Sequence, residues 1–280
     1  MSATPLTAWL DGIGLLGPGL DNWPAARPIL AGTTAYEARA IVVPPPQSLP
    51  AAERRRTGVS VKVALAVAQE AIAAGQLDAR QLAAVFASSG ADGDNCDAIC
   101  QALASDDRHI SPTRFHNSVH NAPAGYWGIA SGVMTPATVL CAYDGSFGAG
   151  LLEALAQVAV TIAGKPAPTT SVRTGVLLVA YEAPYPEPLH AKRPHPSAFG
   201  IALALMPEQS VHSLAKLTVN FTDAPADTLA VPALEALRTG IPCARGLPLL
   251  QTLARGGGQV TLDYLAPLQM QVEIAPLNRV

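Results

Sequence analysis

Charge is scarce in this chain. Only 14% of its 280 residues are Asp, Glu, Lys or Arg, and the formal net charge is −3. Without a basic excess there is no electrostatic footprint for nucleic acid or for an anionic membrane surface. The single basic cluster, Arg54-Arg55-Arg56, reads as a solvated turn before a helix or as a contact for an acidic carrier protein. Long hydrophobic runs are missing too. The longest greasy runs carry Gly, Pro, Glu or Gln inside them, short of the run of about 18 apolar residues that suggests a membrane-spanning helix. The opening Met-Ser-Ala-Thr-Pro lacks the charged and apolar parts of a signal peptide, so a cytoplasmic protein is expected.

Cysteine is sparse, with Cys96, Cys100, Cys141 and Cys243 the only four. No disulfide framework is suggested, in keeping with a reducing compartment. Cys96 and Cys100 share an i, i+3, i+4, i+7 stripe with Ile99 and Leu103, which predicts a buried helix face. No second Cys/His pair completes a zinc set, so neither a metal nor another cofactor is expected.

What is abundant is alanine, glycine and proline. Leu6 to Gly14 reads as a first strand entering a turn at Gly12, Gly14, Gly17 and Gly19. The spacing resembles a dinucleotide loop, but Pro18 and Pro24 oppose the helix that such a loop must open. Residues Pro24 to Pro50 read as irregular, with Pro44-Pro45-Pro46 extended at the surface. Val59 to Ala74 predicts a helix stopped at Gly75, Leu82 to Ser88 a strand, and Asn95 to Ala104 a helix. Gly175 to Tyr181, GVLLVAY, reads as a strand buried on both faces. Ala183 to Pro196 holds five prolines and predicts a surface connector. Beyond it, Ala198 to Leu205 and Leu214 to Phe221 predict strands joined by a hairpin-like turn at Pro207–Ser210. Thr228 to Thr239 and Leu247 to Ala254 predict helices, and a final strand pair spans Gln259 to Leu265 and Met270 to Ile274. Alternating buried strands and alanine-rich helices argue for a layered α/β architecture.

The most specific stretch is Phe115 to Glu153, FHNSVHNAPAGYWGIASGVMTPATVLCAYDGSFGAGLLE. A polar loop from Phe115 to Asn121 leads to a helix ending at Gly132, a strand from Ala137 to Ala142, and a sharp turn into a helix from Phe147 to Ala163. Together with the VFASSG strand and the GLLEALAQV helix, it resembles the active-site half of β-ketoacyl synthases. Within that family it is most similar to the short chain-length-factor-like subunits of aryl polyene and type II polyketide systems. The resemblance implies a thiolase-like, layered α-β-α fold with an abbreviated C-terminal half. Residues 1–182 would form the N-terminal half and 183–280 the shortened one.

In the family the nucleophilic cysteine occupies the strand-to-helix turn, which here reads Ala142-Tyr143-Asp144-Gly145-Ser146. Tyr143 takes that position, and a phenol with pKa near 10 is a poor acyl carrier. Cys141, two residues earlier, is expected to be a buried core thiol. Ser146 sits in Asp144-Gly-Ser146-Phe-Gly148, close to a hydrolase elbow, though a helix N-cap is the commoner role for such a serine. His190, His195 and His212 lack the motif around the family's catalytic histidines. By resemblance, Phe115, Asn117, His120 and Asn121 structure a dimer interface, and Trp127 and Tyr143 join Phe115 as bulky tunnel residues. His116 and His120 fall four apart, but Pro112 and Pro123 oppose the continuous helix that would make them a metal pair.

The expected function is therefore a non-condensing subunit that pairs with an active ketosynthase and meets an acyl carrier protein. Two alternatives remain open: a stand-alone acyltransferase or hydrolase using Cys141 or Ser146, and a non-enzymatic homodimer that binds a carrier protein.

Overall fold

The computed structural model describes residues 5–162 and 175–277. Strand β1 (Leu6–Leu16) is followed by helices α1 (Trp23–Ala31), α2 (Ala51–Arg54) and α3 (Val59–Gly75). Strand β2 (Leu82–Ala87), helices α4 (Gly93–Ala104), α5 (Pro112–Ser118) and α6 (Ala122–Ser131), and strand β3 (Ala137–Leu140) come next. Then follow helix α7 (Ser146–Ile162), strand β4 (Gly175–Glu182), helix α8 (Leu189–Lys192), and strands β5 (Phe199–Met206) and β6 (Ala215–Thr222). Helices α9 (Pro232–Gly240) and α10 (Leu247–Ala254) precede the antiparallel pair β7 (Gly258–Leu262) and β8 (Gln269–Pro276). Ala163, the expected end of α7, lies outside the described residues, as do Met1 to Thr4.

The eight strands of the described residues join one sheet in the order β3-β2-β4-β5-β1-β6-β8-β7. β2 runs parallel to both β3 and β4; the remaining pairs are antiparallel. The central strands are apolar at consecutive positions because both faces are covered. On β4, Val176, Leu178 and Ala180 face one apolar cluster, and Leu177, Val179 and Tyr181 face the other. Helix α7 covers β4, β2 and β1 on the first side, and α1, α9 and α10 extend that layer. Helix α3 covers β1, β5 and β4 on the second, with α6 beside it. The layered α-β-α expectation holds, and residues 183–277 add β5, β6, β7 and β8 to the sheet.

The glycines of β1 belong to the strand rather than to a turn, because α3 lies directly on them. A methyl group at Gly14 would fall on the carbonyl oxygen of Val67, and one at Gly12 on that of Ala71. Across from them, Gly200, Ala202 and Ala204 on β5 keep the same face flat. Small residues here set the spacing between helix and sheet. Only Gly19, with φ +65°, serves a turn conformation.

Other expectations are corrected. Trp23–Ala31 is helical rather than irregular: Asn22 Oδ1 caps it from the Ala25 N–H at 2.8 Å, Pro24 fits its first turn, and left-handed Gly32 ends it. Pro28 is accommodated inside it. β5 and β6 make no hairpin, since β1 lies between them. Their connection is held instead by buried Asp11 at a bulge in β1, which accepts from Ser210 Oγ and Ser213 Oγ, both at 2.6 Å. Helix α4 has no buried residue, so Cys96 and Cys100 are exposed and not core. The Phe115–Asn121 segment is mostly helix, because Pro112 occupies the first turn where its missing N–H costs nothing, and Ser111 caps it.

Candidate functional site at the carboxyl ends of the parallel strands

β2, β3 and β4 are parallel and end together, at Ser88, Cys141 and Glu182. In α/β sheets this edge is where unpaired backbone groups and loop side chains collect. After β3 the chain makes one 3-10 turn, Tyr143–Gly145, and enters α7. Tyr143 has φ +52°, a left-handed conformation for a bulky residue, which costs on the order of 1 kcal/mol or more. The turn is held tight by Ser146, whose hydroxyl donates to the Tyr143 carbonyl at 2.7 Å and accepts from the Ala142 N–H at 3.1 Å. Gly145 and Gly148 lie against the backbone of Tyr264 and Asp263. Ser146 is fully buried, and its hydroxyl is consumed by the turn rather than capping the next N–H groups of α7.

Tyr143 itself is 63% exposed. One face of its ring carries the Arg193 guanidinium, 3.5 Å from the centroid. Arg193 Nη2 also donates to Asp144 Oδ1 at 2.8 Å, and Arg245 Nη2 donates to Asp144 Oδ2 at 3.1 Å. Arg245 continues to Asp263 at 3.3 Å, and Arg238 joins Asp263 to Glu235. Charges of alternating sign thus run from α9 to the turn. Cys141 is exposed and not the buried thiol expected, because β3 is the edge strand; its thiol donates to the Ser89 carbonyl at 3.2 Å.

Behind the turn lies a buried acid. Glu182, 1% exposed, accepts from the Ser89 N–H at 2.6 Å and Ser89 Oγ at 3.0 Å, with Ser88 Oγ at 3.4 Å. Burial pushes its carboxyl up from 4.5 to about 7, against the pull of those donors and of Arg193. His195, 2% exposed, places Nδ1 3.8 Å from the carboxylate; burial and Arg193 push the imidazole down, so the ring stays neutral. Tyr185 stacks on His195 with ring centroids 4.4 Å apart. It also fits against Gly90 and Gly93, where a Cβ would meet its ring and hydroxyl. The proline-rich segment after β4 is therefore not a plain surface connector. It carries two anchors back over the strand ends, buried His195 and half-buried Tyr185.

The remaining expected residues occupy the helices beside this edge. Asn117 is buried: its Nδ2 donates to the Arg56 carbonyl at 2.7 Å, and its Oδ1 accepts from Tyr126 at 3.0 Å. It ties α5 to the end of α2 and to α6. His116 meets the Tyr126 ring edge-on at 5.9 Å. The backbone carbonyl of His120 accepts from Tyr181 at 3.5 Å, while its Nε2 is buried without a hydrogen-bond partner among the described residues. Trp127 packs into the α3-side core, Asn121 is exposed, and Phe115 is 61% exposed. No group of three or more His, Cys, Asp or Glu among the described residues is placed to hold a metal, and no described helix is long and apolar enough to cross a membrane.

The sequence alone does not point to Glu182 or Arg193, sets His195 aside for want of a surrounding motif, and names Asp144 only as part of the turn. A carboxylate closing an apolar strand, GVLLVAYE, was the available signal for Glu182. Nothing in the sequence joins Arg193 or His195 to this edge, since only the fold brings the connector back.

No curated protein matches the chain by sequence. Among solved structures, the ketosynthase ApeO in complex with its chain length factor ApeC from Xenorhabdus doucetiae is 22% identical to it. That match covers 96% of this chain and 99% of the matched one, with a TM-score of 0.70. The ishigamide ketosynthase/chain length factor is 14% identical over 97% of this chain and 100% of that one, TM-score 0.68. The type II polyketide complex AntDE:AntF, an acyl-carrier protein with its ketosynthase bound to the hexaketide, is 10% identical over 98% and 100%, TM-score 0.71. At these identities the likeness is one of fold. The sequence family of β-ketoacyl synthase N-terminal domains matches residues 31–263, and so the chain belongs to the β-ketoacyl synthase family.

Proposed function

We propose that the protein is a non-condensing subunit that pairs with an active β-ketoacyl synthase and shapes its acyl tunnel. The observation that carries the reading is the turn at Tyr143. The strand-to-helix elbow is present, with a left-handed backbone at Tyr143, yet it presents a phenol where acyl transfer needs a thiolate. Neither neighbour replaces it. The Ser146 hydroxyl is buried in the turn. Cys141 is exposed, but its thiol turns to the Ser89 carbonyl.

The surface around the turn suits a partner. β3 is a four-residue edge strand with an unpaired side, and Phe115, Val119, Ile129, Met134 and Tyr143 are exposed on the elements flanking it in the chain. An open strand edge beside exposed apolar side chains favours pairing with another sheet. The neighbours include ketosynthases described with a chain length factor or with an acyl-carrier protein, which supports a ketosynthase partner and, less directly, a carrier protein. Residues 1–182 would supply the partner surface and the elbow, and 183–280 the support behind them.

Co-expression with a full-length condensing ketosynthase tests the reading. A stable heterodimer that elongates acyl chains on a carrier protein is expected, with no covalent acylation of this subunit after incubation with an acyl thioester. Condensation by the isolated chain, or acylation at Cys141, would overturn it.

A further inference from the structure

We propose that Arg193 is a positioning residue for Tyr143: it fixes the phenol ring over the elbow before any partner is present. This deepens the proposed function and rests on it for its consequence, though the clamp itself does not. Tyr143 is bulky and mostly exposed, and among the described residues Arg193 is the ring or cation contact that covers it. An exposed tyrosine ordinarily samples several rotamers. Here the guanidinium lies 3.5 Å from the ring centroid, within the range of a cation–π contact.

The arm that delivers it is itself fixed at three places. Tyr185 fits the notch made by Gly90 and Gly93, His195 is buried beside Glu182, and Arg193 is tied to Asp144 at 2.8 Å. Arg245 holds the second oxygen of Asp144, so the carboxylate that orients Arg193 cannot turn away without breaking two ion pairs. A guanidinium can donate in its plane to Asp144 while laying its face on the ring; a lysine ammonium has no planar face to stack and holds the ring less firmly. The turn conformation then sets where Tyr143 leaves the backbone, and Arg193 sets where its ring ends. If the ring forms part of a tunnel wall, the wall is set by a residue fifty positions away in sequence.

The test has two arms. In the isolated subunit labelled with 3-fluorotyrosine, the Tyr143 resonance is identified by its loss in Tyr143→Phe. Arg193→Ala is expected to move that resonance by more than its linewidth, Arg193→Lys to move it partway, and neither to change the thermal midpoint by more than a few degrees. An unmoved resonance overturns the clamp. In the heterodimer, Arg193→Ala should broaden the product distribution, raising the share of off-length products roughly two- to fivefold, the population change a partly exposed cation–π contact supports. Products unchanged by Arg193→Ala but altered by Tyr143→Ala overturn the positioning role. If Tyr143→Ala also leaves them unchanged, the tunnel reading falls, and the clamp is decided by the fluorine resonance.

Discussion

The middle of the sheet and its carboxyl edge obey different rules. In the middle, α3 meets β1 and β5 mainly through glycine, alanine and other apolar residues, with the Glu70 carboxylate also accepting from the Leu15 N–H at 2.9 Å. At the edge, within a few residues of the strand ends, Glu182, His195, Arg193, Asp144, Tyr143 and Tyr185 meet in ion pairs, ring stacks and a left-handed turn. The middle tolerates no added volume at these glycines, and its acids, Asp11 and Glu70, are each held by fixed donors. The edge is assembled from charged groups whose states depend on one another. Stability resides in the first and whatever chemistry or recognition the protein has in the second.

The comparison breaks first in the middle. Gly14→Ala puts a methyl group onto the Val67 carbonyl; the backbone on both sides is buried, so neither can yield without separating helix from sheet. A loss of about 3 kcal/mol or more is expected, at the upper end of overpacking costs, measured by urea denaturation. Gly32→Ala meets no atom nearby, and its cost is confined to the left-handed backbone at φ +85°, about 1 kcal/mol. Equal losses for the two would mean that helix–sheet contact is not what the glycine provides.

This division also explains what could be read from residues alone. GVLLVAY, VFA and the alanine-rich α3 declare themselves by local pattern, because burial on two faces demands consecutive apolar residues. The Tyr143 turn was visible for the same reason: strand, turn and helix are contiguous. The glycines of β1 misled, since close approach and turn conformation use the same residue, and only the position of α3 separates them. The edge was mostly illegible. Glu182 and Ser89 are 93 positions apart, Arg245 and Asp144 are 101 apart, and no spacing rule joins them. Cys96 and Cys100 fit a buried stripe, yet α4 buries nothing, so periodicity without a covering element misassigned them.

The second test sharpens the contrast through pH. Glu182 titrates near 7 in the folded protein and near 4.5 when unfolded. Between those values the folded state holds a proton that the unfolded state has lost, so stability falls as pH rises from about 4.5 to 7, by on the order of 3 kcal/mol. His195 acts in the opposite sense. Its folded value lies below 6.5, so stability falls as pH drops through 6.5 and the unfolded imidazole takes up a proton. In the wild-type protein the two slopes oppose each other. Glu182→Gln removes the first and leaves stability rising with pH through 6.5, whereas His195→Asn leaves it falling. Urea midpoints from pH 5 to 8 read both, and parallel profiles for the two variants would show that the buried pair does not set the pH response of this edge.

The smallest expected effect concerns the strain at the turn. Replacing a half-exposed tyrosine by glycine in a strand or helix costs stability, through lost packing and gained backbone entropy. At position 143 the balance shifts, because φ +52° is free for glycine and costly for tyrosine, by about 1 kcal/mol. Against this stands the loss of the Arg193 contact, roughly 0.5–1 kcal/mol at an exposed site. Tyr143→Gly should therefore leave stability within about 0.5 kcal/mol of wild type, and Tyr143→Gly in an Arg193→Ala background should be more stable than Arg193→Ala alone. A loss of several kcal/mol from Tyr143→Gly would place the ring in the core of the fold rather than at its edge. Near-neutrality would mean that the protein keeps a strained tyrosine for a purpose other than its own stability, consistent with a residue kept for the surface it presents.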